Sequence, residues 1–317
     1  MIDCNFSKLI YETHKAKKSG IQPENQEDFD YQENIWLSIY GLGKFEFYAF
    51  LYGQCRDFEH FKDWVTGLKG EDFVKAADLQ FKKWQATLGT TNKNEVVSPK
   101  FLSPDQIKFW EENGYLRIPG VIDEARCDLV TQKICRYLNI HLDFPETWYM
   151  PHPDWQGIML QVYQDKNMEA IRQDATIRDI FTDLYQTDQI IANTEKLGYN
   201  PPETREWIFG QGQLHWDLDW DAPVKFNVQA LVYLNDVPAD RGPLQVVPGF
   251  NKKYDDWKKD FSSSERAHAY IRITETPIPV PGEKGDLIIW RNTIPHAAGK
   301  NQSALPRFVQ YISFAKI

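Results

Sequence analysis

Cysteine is scarce in this chain: Cys4, Cys55, Cys127 and Cys135 are the only four in 317 residues. They form no CxxC pair, and so few sulfurs in so long a chain make neither a disulfide framework nor a thiolate metal site. No apolar run reaches the roughly 18 residues that a membrane-spanning helix needs. The opening MIDCNFSKLI lacks the basic stretch followed by an apolar one that marks export. Positive charge is in deficit, with 36 Lys and Arg against 45 Asp and Glu and a net charge of -9. Such a chain offers no general attraction for phosphate backbones or anionic lipid. These absences point to a cytoplasmic protein with neither nucleic acid nor membrane among its partners.

What is present is ordinary globular material, 42% hydrophobic and 26% charged, enough for two units. Aromatics crowd the N-terminal region: Trp36, Tyr40, Phe45, Phe47, Tyr48, Phe50, Tyr52, Phe58, Phe61 and Trp64. Two amphipathic helices follow from the spacing, one with Phe58, Phe61, Trp64 and Leu68 on its apolar face, the next with Phe73, Ala77, Trp84 and Leu88. Packing against neighbours explains such stripes better than a docking surface does. The polar stretch from Gly89 to Lys100 has no apolar period and reads as the linker, so residues 1–95 form a helical extension and 101–317 the main domain. That domain opens on Ser103-Pro104-Asp105-Gln106, a capping box with Pro at the first helical position, and Asn113-Gly114 ends the helix. A strand over 115–118 comes next, then a second helix capped by Asp123.

Beyond Ile190 the pattern changes to short strands divided by Gly and Pro turns, the clearest over 207–209, 214–217, 226–234, 244–247, 287–290 and 308–314. Repeated short strands predict a mostly β sandwich or barrel, with the helices flanking it. Within it, Gln213-Leu214-His215-Trp216-Asp217 puts a His and an Asp two residues apart, on one face of an extended strand. An isolated H-x-D is more often a surface or core polar pair. His296 adds a second imidazole about eighty residues downstream. Two His and one carboxylate form a facial triad, which occupies one face of octahedral Fe(II) and leaves three positions for a bidentate oxo-acid and dioxygen. Arg307 follows eleven residues later, within reach of the same cavity across a turn. Its paired donors match a carboxylate, although a surface ion pair is the commoner fate of a lone Arg.

With these residues the chain resembles the phytanoyl-CoA dioxygenase-like branch of the Fe(II)/2-oxoglutarate-dependent oxygenases, from about Phe101 onward. Besides His215, Asp217, His296 and Arg307, the likeness rests on Leu102-Ser103-Pro104-Asp105-Gln106 with Asn113-Gly114-Tyr115, and on Gly242-Pro243-Leu244-Gln245-Val246-Val247-Pro248-Gly249. Gly285-Asp286-Leu287 and Asn301-Gln302-Ser303 complete it. The resemblance implies a double-stranded β-helix, or jelly roll, with iron held by His215, Asp217 and His296. Arg307 would bind the distal carboxylate of 2-oxoglutarate, and Asn193 would lie where relatives place an oxo-acid contact. O2 and 2-oxoglutarate would be co-substrates, giving succinate and CO2 with hydroxylation of a small or medium-sized molecule. Desaturation, epimerisation or cyclisation would use the same cofactors, and a non-catalytic jelly-roll module is the contrasting class.

Several positions qualify this reading. An acid at Asp217 disfavours halogenation, because related halogenases carry a small residue there. Asp219 would replace it only under a shift of register. Relatives often have a serine two residues past the second His, where this chain has Ala298. Gln229 and Tyr233 share one strand face and either line the pocket or bond across the sheet. Trp216, Trp220 and Trp290 shape a pocket or fill the barrel wall, the KKYDDWKKD run over 252–260 reads as solvated, and His268 receives no role.

Overall fold

The computed structural model describes residues 5–21, 25–88, 97–210 and 212–317. The polar linker expected from Gly89 lies outside the described residues as far as 96. In chain order the helices are α1 (Asn5–Lys18), α2 (Gln26–Ile39), α3 (Lys44–Gly53), α4 (Phe58–Lys69), α5 (Glu71–Gln85), α6 (Pro104–Asn113), α7 (Glu124–Leu138), α8 (Lys166–Arg172), α9 (Ala175–Tyr185), α10 (Tyr254–Lys258) and α11 (Ser264–Thr274). The strands are β1 (Tyr115–Ile118), β2 (Trp155–Gln156), β3 (Met159–Leu160), β4 (Ile190–Ala192), β5 (Leu197–Asn200), β6 (Val228–Tyr233), β7 (Leu244–Val246), β8 (Ile278–Val280), β9 (Leu287–Arg291), β10 (His296–Ala298) and β11 (Arg307–Lys316). None of the helices among the described residues is long and apolar enough to cross a membrane.

Two compact units result. One takes Met1–Val97 with Thr187–Glu195 and Phe314–Ile317; the other takes Ser98–Gln186 and Lys196–Ser313. The first is the aromatic helical unit, supplemented by two short segments from late in the chain that no local signal announces. Its core holds Trp36, Tyr40, Phe47, Phe50 and Phe61, with Trp36 stacked on Tyr40 at 4.2 Å and Phe50 on Trp64 at 4.3 Å. Phe45 is exposed. In α5 the buried stripe is Val74, Ala77, Phe81 and Trp84, so the face is rotated from the expected one and leaves Phe73 and Leu88 outside. Inside this core His14 contacts Glu33 at 2.5 Å and Tyr52 at 2.6 Å, and Tyr48 donates to Glu33 at 2.7 Å. Partners of this kind are what allow charged and polar groups to be buried.

The second unit follows the sequence closely at its start. Ser103 and Gln106 form the capping box, Gly114 closes α6 at φ +74°, and Asp123 caps α7. Asp183, which the sequence did not single out, accepts from the backbone N–H groups of Lys100, Phe101 and Leu102 at 2.7, 2.9 and 2.8 Å and fixes the entry to the domain.

The larger sheet runs β1-β9-β6-β11-β5-β3-β2, all antiparallel, and a smaller one runs β10-β7-β8. Leu231, Tyr233, Ile288, Trp290 and Val309 from the first share one core with Leu244, Val246, Val280 and Ala297 from the second, so the two sheets make the jelly roll. Of the expected strands, those around 226–234, 244–247, 287–290 and 308–314 are present. Trp207–Phe209 is irregular, and 214–217 makes only a single bridge at His215. Asp219 accepts from the Asp221 N–H at 3.0 Å and turns the chain, which ends any strand after Asp217.

One turn sets the register of β9. Gly285 has φ +90°, and a Cβ there would meet the Ile122 carbonyl oxygen at 2.0 Å, so only glycine fits. Beside it Asp286, 1% exposed, accepts from Arg117 Nε at 2.7 Å and from the N–H groups of Gly120 and Glu283 at 2.9 Å each. Asp286→Ala strands these donors and should cost about 3 kcal/mol, read as a shift in the urea unfolding midpoint. An unshifted midpoint would show that the turn holds without it.

Candidate metal centre

His215 and His296 face each other through a two-way backbone pairing. His215 N–H donates to the His296 carbonyl at 3.1 Å, and His296 N–H donates back at 3.0 Å. Their rings lie 4.6 Å apart. Each imidazole is also tethered to its own chain: Nδ1 of His215 lies 2.9 Å from the Gln213 carbonyl, and Nδ1 of His296 lies 3.2 Å from the Ile294 carbonyl. A carbonyl can only accept, so each Nδ1 carries a proton and Nε2 is the nitrogen turned toward Asp217. This is how metal-binding imidazoles are commonly oriented.

Asp217 completes the group. Its carboxylate oxygens lie 3.6 Å from His215 Nε2 and 3.3 Å from His296 Nε2, and one donor atom from each of the three residues falls within 4.8 Å of the others. No other such His, Cys, Asp and Glu cluster occurs among the described residues. Desolvation opposes ionisation of Asp217, but hydrogen bonding and charge from His296, then the His215 charge and the Gln229 amide, outweigh it and hold the acid well below the usual carboxylate range. Burial, followed by the neighbouring His296, pushes His215 below its ordinary value and favours the neutral form. Two imidazoles and a carboxylate are the donors that suit a divalent iron with positions left open.

Arg307, the first residue of β11, is 1% exposed. One guanidinium nitrogen donates to the Gly242 carbonyl, while Nε and Nη2 are buried with no hydrogen-bond partner. A buried guanidinium with two N–H groups unanswered is costly unless an anion meets them, and a carboxylate has the matching fork. Gly242 belongs to the Gly242–Gly249 motif, so that motif supplies both the central strand of the smaller sheet and the anchor for Arg307.

The remaining sequence candidates separate. Tyr233 donates to the Val280 carbonyl at 2.8 Å and accepts from Leu244 N–H at 2.9 Å, which makes it a strut between the sheets. Gln229 bonds to neither sheet neighbour as its main contact; its amide donates to Asp217 Oδ2 at 2.8 Å. Trp216 is core, with its indole donating to the Thr293 carbonyl at 3.0 Å. Trp290 is buried beside His296, ring centroids 5.2 Å apart, and its indole N–H has no partner. Asn193 is a different case. It belongs to the helical unit, where its side-chain oxygen accepts from the Ser38 hydroxyl at 2.7 Å, and it is not carried into the proposed site.

His268, left without a role by the sequence, accepts from the Trp216 N–H at 3.3 Å and stacks on that ring. Burial lowers its pKa, in keeping with an acceptor nitrogen. Its contact partner lies 52 residues away, so no local pattern could reveal it.

The unanswered donors of Arg307 have a measurable consequence. Arg307→Met should raise the stability of the ligand-free protein by about 1–3 kcal/mol in thermal or urea unfolding. A less stable variant would mean that the guanidinium is better satisfied than its contacts indicate.

The phytanoyl-CoA dioxygenase family profile matches residues 110–309. A curated relative, the peroxisomal phytanoyl-CoA dioxygenase of Bos taurus, is 23% identical over 223 residues, 64% of this chain, and the chain spans 65% of that relative's length. Among solved structures, the non-heme alpha ketoglutarate dependent carbocyclase SnoK from nogalamycin biosynthesis is similar with a TM-score of 0.52 at 16% identity, over 69% of this chain and 87% of that one. The epimerase SnoN in complex with Fe3+, alpha ketoglutarate and nogalamycin RO gives 0.52 at 19% identity, over 67% and 82%. The likeness to these structures is one of fold. The profile match takes in the smaller sheet, most of the larger one and His215, Asp217, His296 and Arg307, and the chain belongs to the phytanoyl-CoA dioxygenase family of iron(II)- and 2-oxoglutarate-dependent oxygenases.

Proposed function

We propose that the protein hydroxylates an unactivated C–H bond of a small or medium-sized molecule, with release of succinate and CO2. The observation that carries this reading is a clustered His–Asp–His donor set in the same unit as a buried arginine with two unpartnered donors. His215, Asp217 and His296 would hold iron(II), and Arg307 would receive the distal carboxylate of 2-oxoglutarate. Bound iron would supply the redox chemistry that couples decarboxylation of the oxo-acid to oxidation of the substrate. The protein's own residues do the rest. The two tethered imidazoles keep Nε2 pointed inward, Asp217 stays ionised as a ligand, and Arg307 fixes the far end of the oxo-acid by geometry as well as charge.

Related halogenases carry a small residue where this chain has Asp217, which would be a metal ligand, so hydroxylation is favoured over halogenation. A second outcome has specific support, since the solved structures with a similar fold include a carbocyclase and an epimerase. Ring closure or epimerisation at the same centre would need no change in His215, Asp217, His296 or Arg307, only in where the substrate radical is held.

Anaerobic addition of Fe(II) and then 2-oxoglutarate should produce the weak visible charge-transfer band of a chelated oxo-acid. His296→Ala should lose it while remaining folded; a band that persists in this variant would remove His296 from the centre. Arg307→Lys should keep the iron but weaken 2-oxoglutarate binding by about tenfold to a hundredfold, since a point charge replaces a fork. Unchanged affinity for the oxo-acid would exclude Arg307. Mass analysis of the product then distinguishes a gain of one oxygen from an isomer or a loss of two hydrogens.

A further inference from the structure

We propose that Gln229 is a positioning residue that holds Asp217 to one free oxygen, an inference that rests on the metal centre proposed above. Gln229 lies on β6, with Trp290 of β9 as its register partner, and its side chain leaves the sheet to reach Asp217 in the segment after His215. The contact is 2.8 Å from Nε2 to Oδ2. In this contact the amide nitrogen donates and the carboxylate oxygen accepts, so the amide is oriented with its nitrogen toward the acid. Its oxygen must then face the other way, where Oε1 is buried without a hydrogen-bond partner.

A glutamine placed for fold stability would answer both ends of its amide. This one leaves its acceptor unmet in order to keep its donor on Asp217, which is the signature of a residue set by the site and not by the sheet. The effect on ligation follows from the direction in which the amide holds Oδ2. A carboxylate with both oxygens free can chelate a metal through the pair and consume a coordination position. With Oδ2 engaged by the amide, Asp217 is biased toward giving one oxygen, and the position a second would take stays available for the co-substrates. Partners of this kind, one step removed from the metal, commonly govern both affinity and ligand orientation.

The test is Mn(II) binding to the metal-free protein, followed by electron paramagnetic resonance, for the unaltered chain and for Gln229→Met, which keeps the length of the side chain and removes the amide. The variant should bind Mn(II) about tenfold or more weakly. Its metal-free melting temperature should stay within about 2 °C of the parent, since the lost contact is offset by removal of an unmet buried acceptor. In the anaerobic Fe(II) and 2-oxoglutarate complex, the charge-transfer band should shift in position. Equal Mn(II) affinity with an unmoved band would overturn the role of Gln229 while leaving the metal centre intact. Affinity that falls only together with a clear drop in melting temperature would make Gln229 a structural residue and equally overturn it. Failure of the unaltered protein to bind Mn(II) or Fe(II) at all would instead remove the centre, and this proposal with it.

Discussion

The two hydrogen bonds exchanged by the backbones of His215 and His296 are the constraint on which the site depends. They join segments about eighty residues apart, and closing so long a loop has an entropic cost that grows slowly with length. The barrel meets that cost in advance. β6 and β9 pair along their length, β7 pairs with β10, and the shared core of the two sheets brings His296 to the edge where the His215 segment passes. Distance between the imidazoles is therefore a property of the whole second unit. Their orientation, by contrast, is local, because each ring is tied to a carbonyl two residues back on its own chain.

The sequence was most informative where the physics is local. Ser103, Gly114 and Asp123 do what their types do at helix ends, and β1, β6, β7, β9 and β11 stand where short apolar runs predicted strands. The sequence singled out His215, Asp217 and His296, which the structure brings together, but their H-x-D pattern was specific only beside the other family motifs; Arg307 was picked out by its spacing from His296 and by the resemblance. What could not be read depended on long-range contact or on exact register. The 214–217 strand shrinks to one bridge because Asp219 turns the chain, and α5 buries Phe81 in place of Phe73 because packing rotated its face. Asn193 has its oxygen engaged by Ser38, a partner 155 residues earlier. Asp183 escaped notice and His268 was given no role for the same reason: each acts on backbone far away in the chain.

Some of the buried polar atoms left without partners fall in register pairs of the larger sheet. Arg307, Asn200, Gln229 and Trp290 lie on paired strands of the larger sheet, and each keeps a buried polar atom without a partner. Arg307 and Asn200 are direct register neighbours, as are Gln229 and Trp290. Native proteins leave few such atoms, and one of these pairs, Gln229 and Trp290, touches the proposed iron ligands Asp217 and His296. The surrounding strands can tolerate it because their other faces are packed with apolar side chains, including Val228, Ala230, Ile289 and Phe308.

A charge count at the barrel mouth carries a different message. Asp217 contributes one negative charge and Arg307 one positive, so the protein's share is balanced before any ligand arrives. A divalent ion alone would leave two positive charges in a partly desolvated site, and a doubly charged oxo-acid cancels them. An oxo-acid with a single carboxylate would leave the guanidinium unneutralised as well as its donors unmatched. With iron and the oxo-acid held as proposed, neutrality at full occupancy would favour a co-substrate of two carboxylates over one with a single carboxylate.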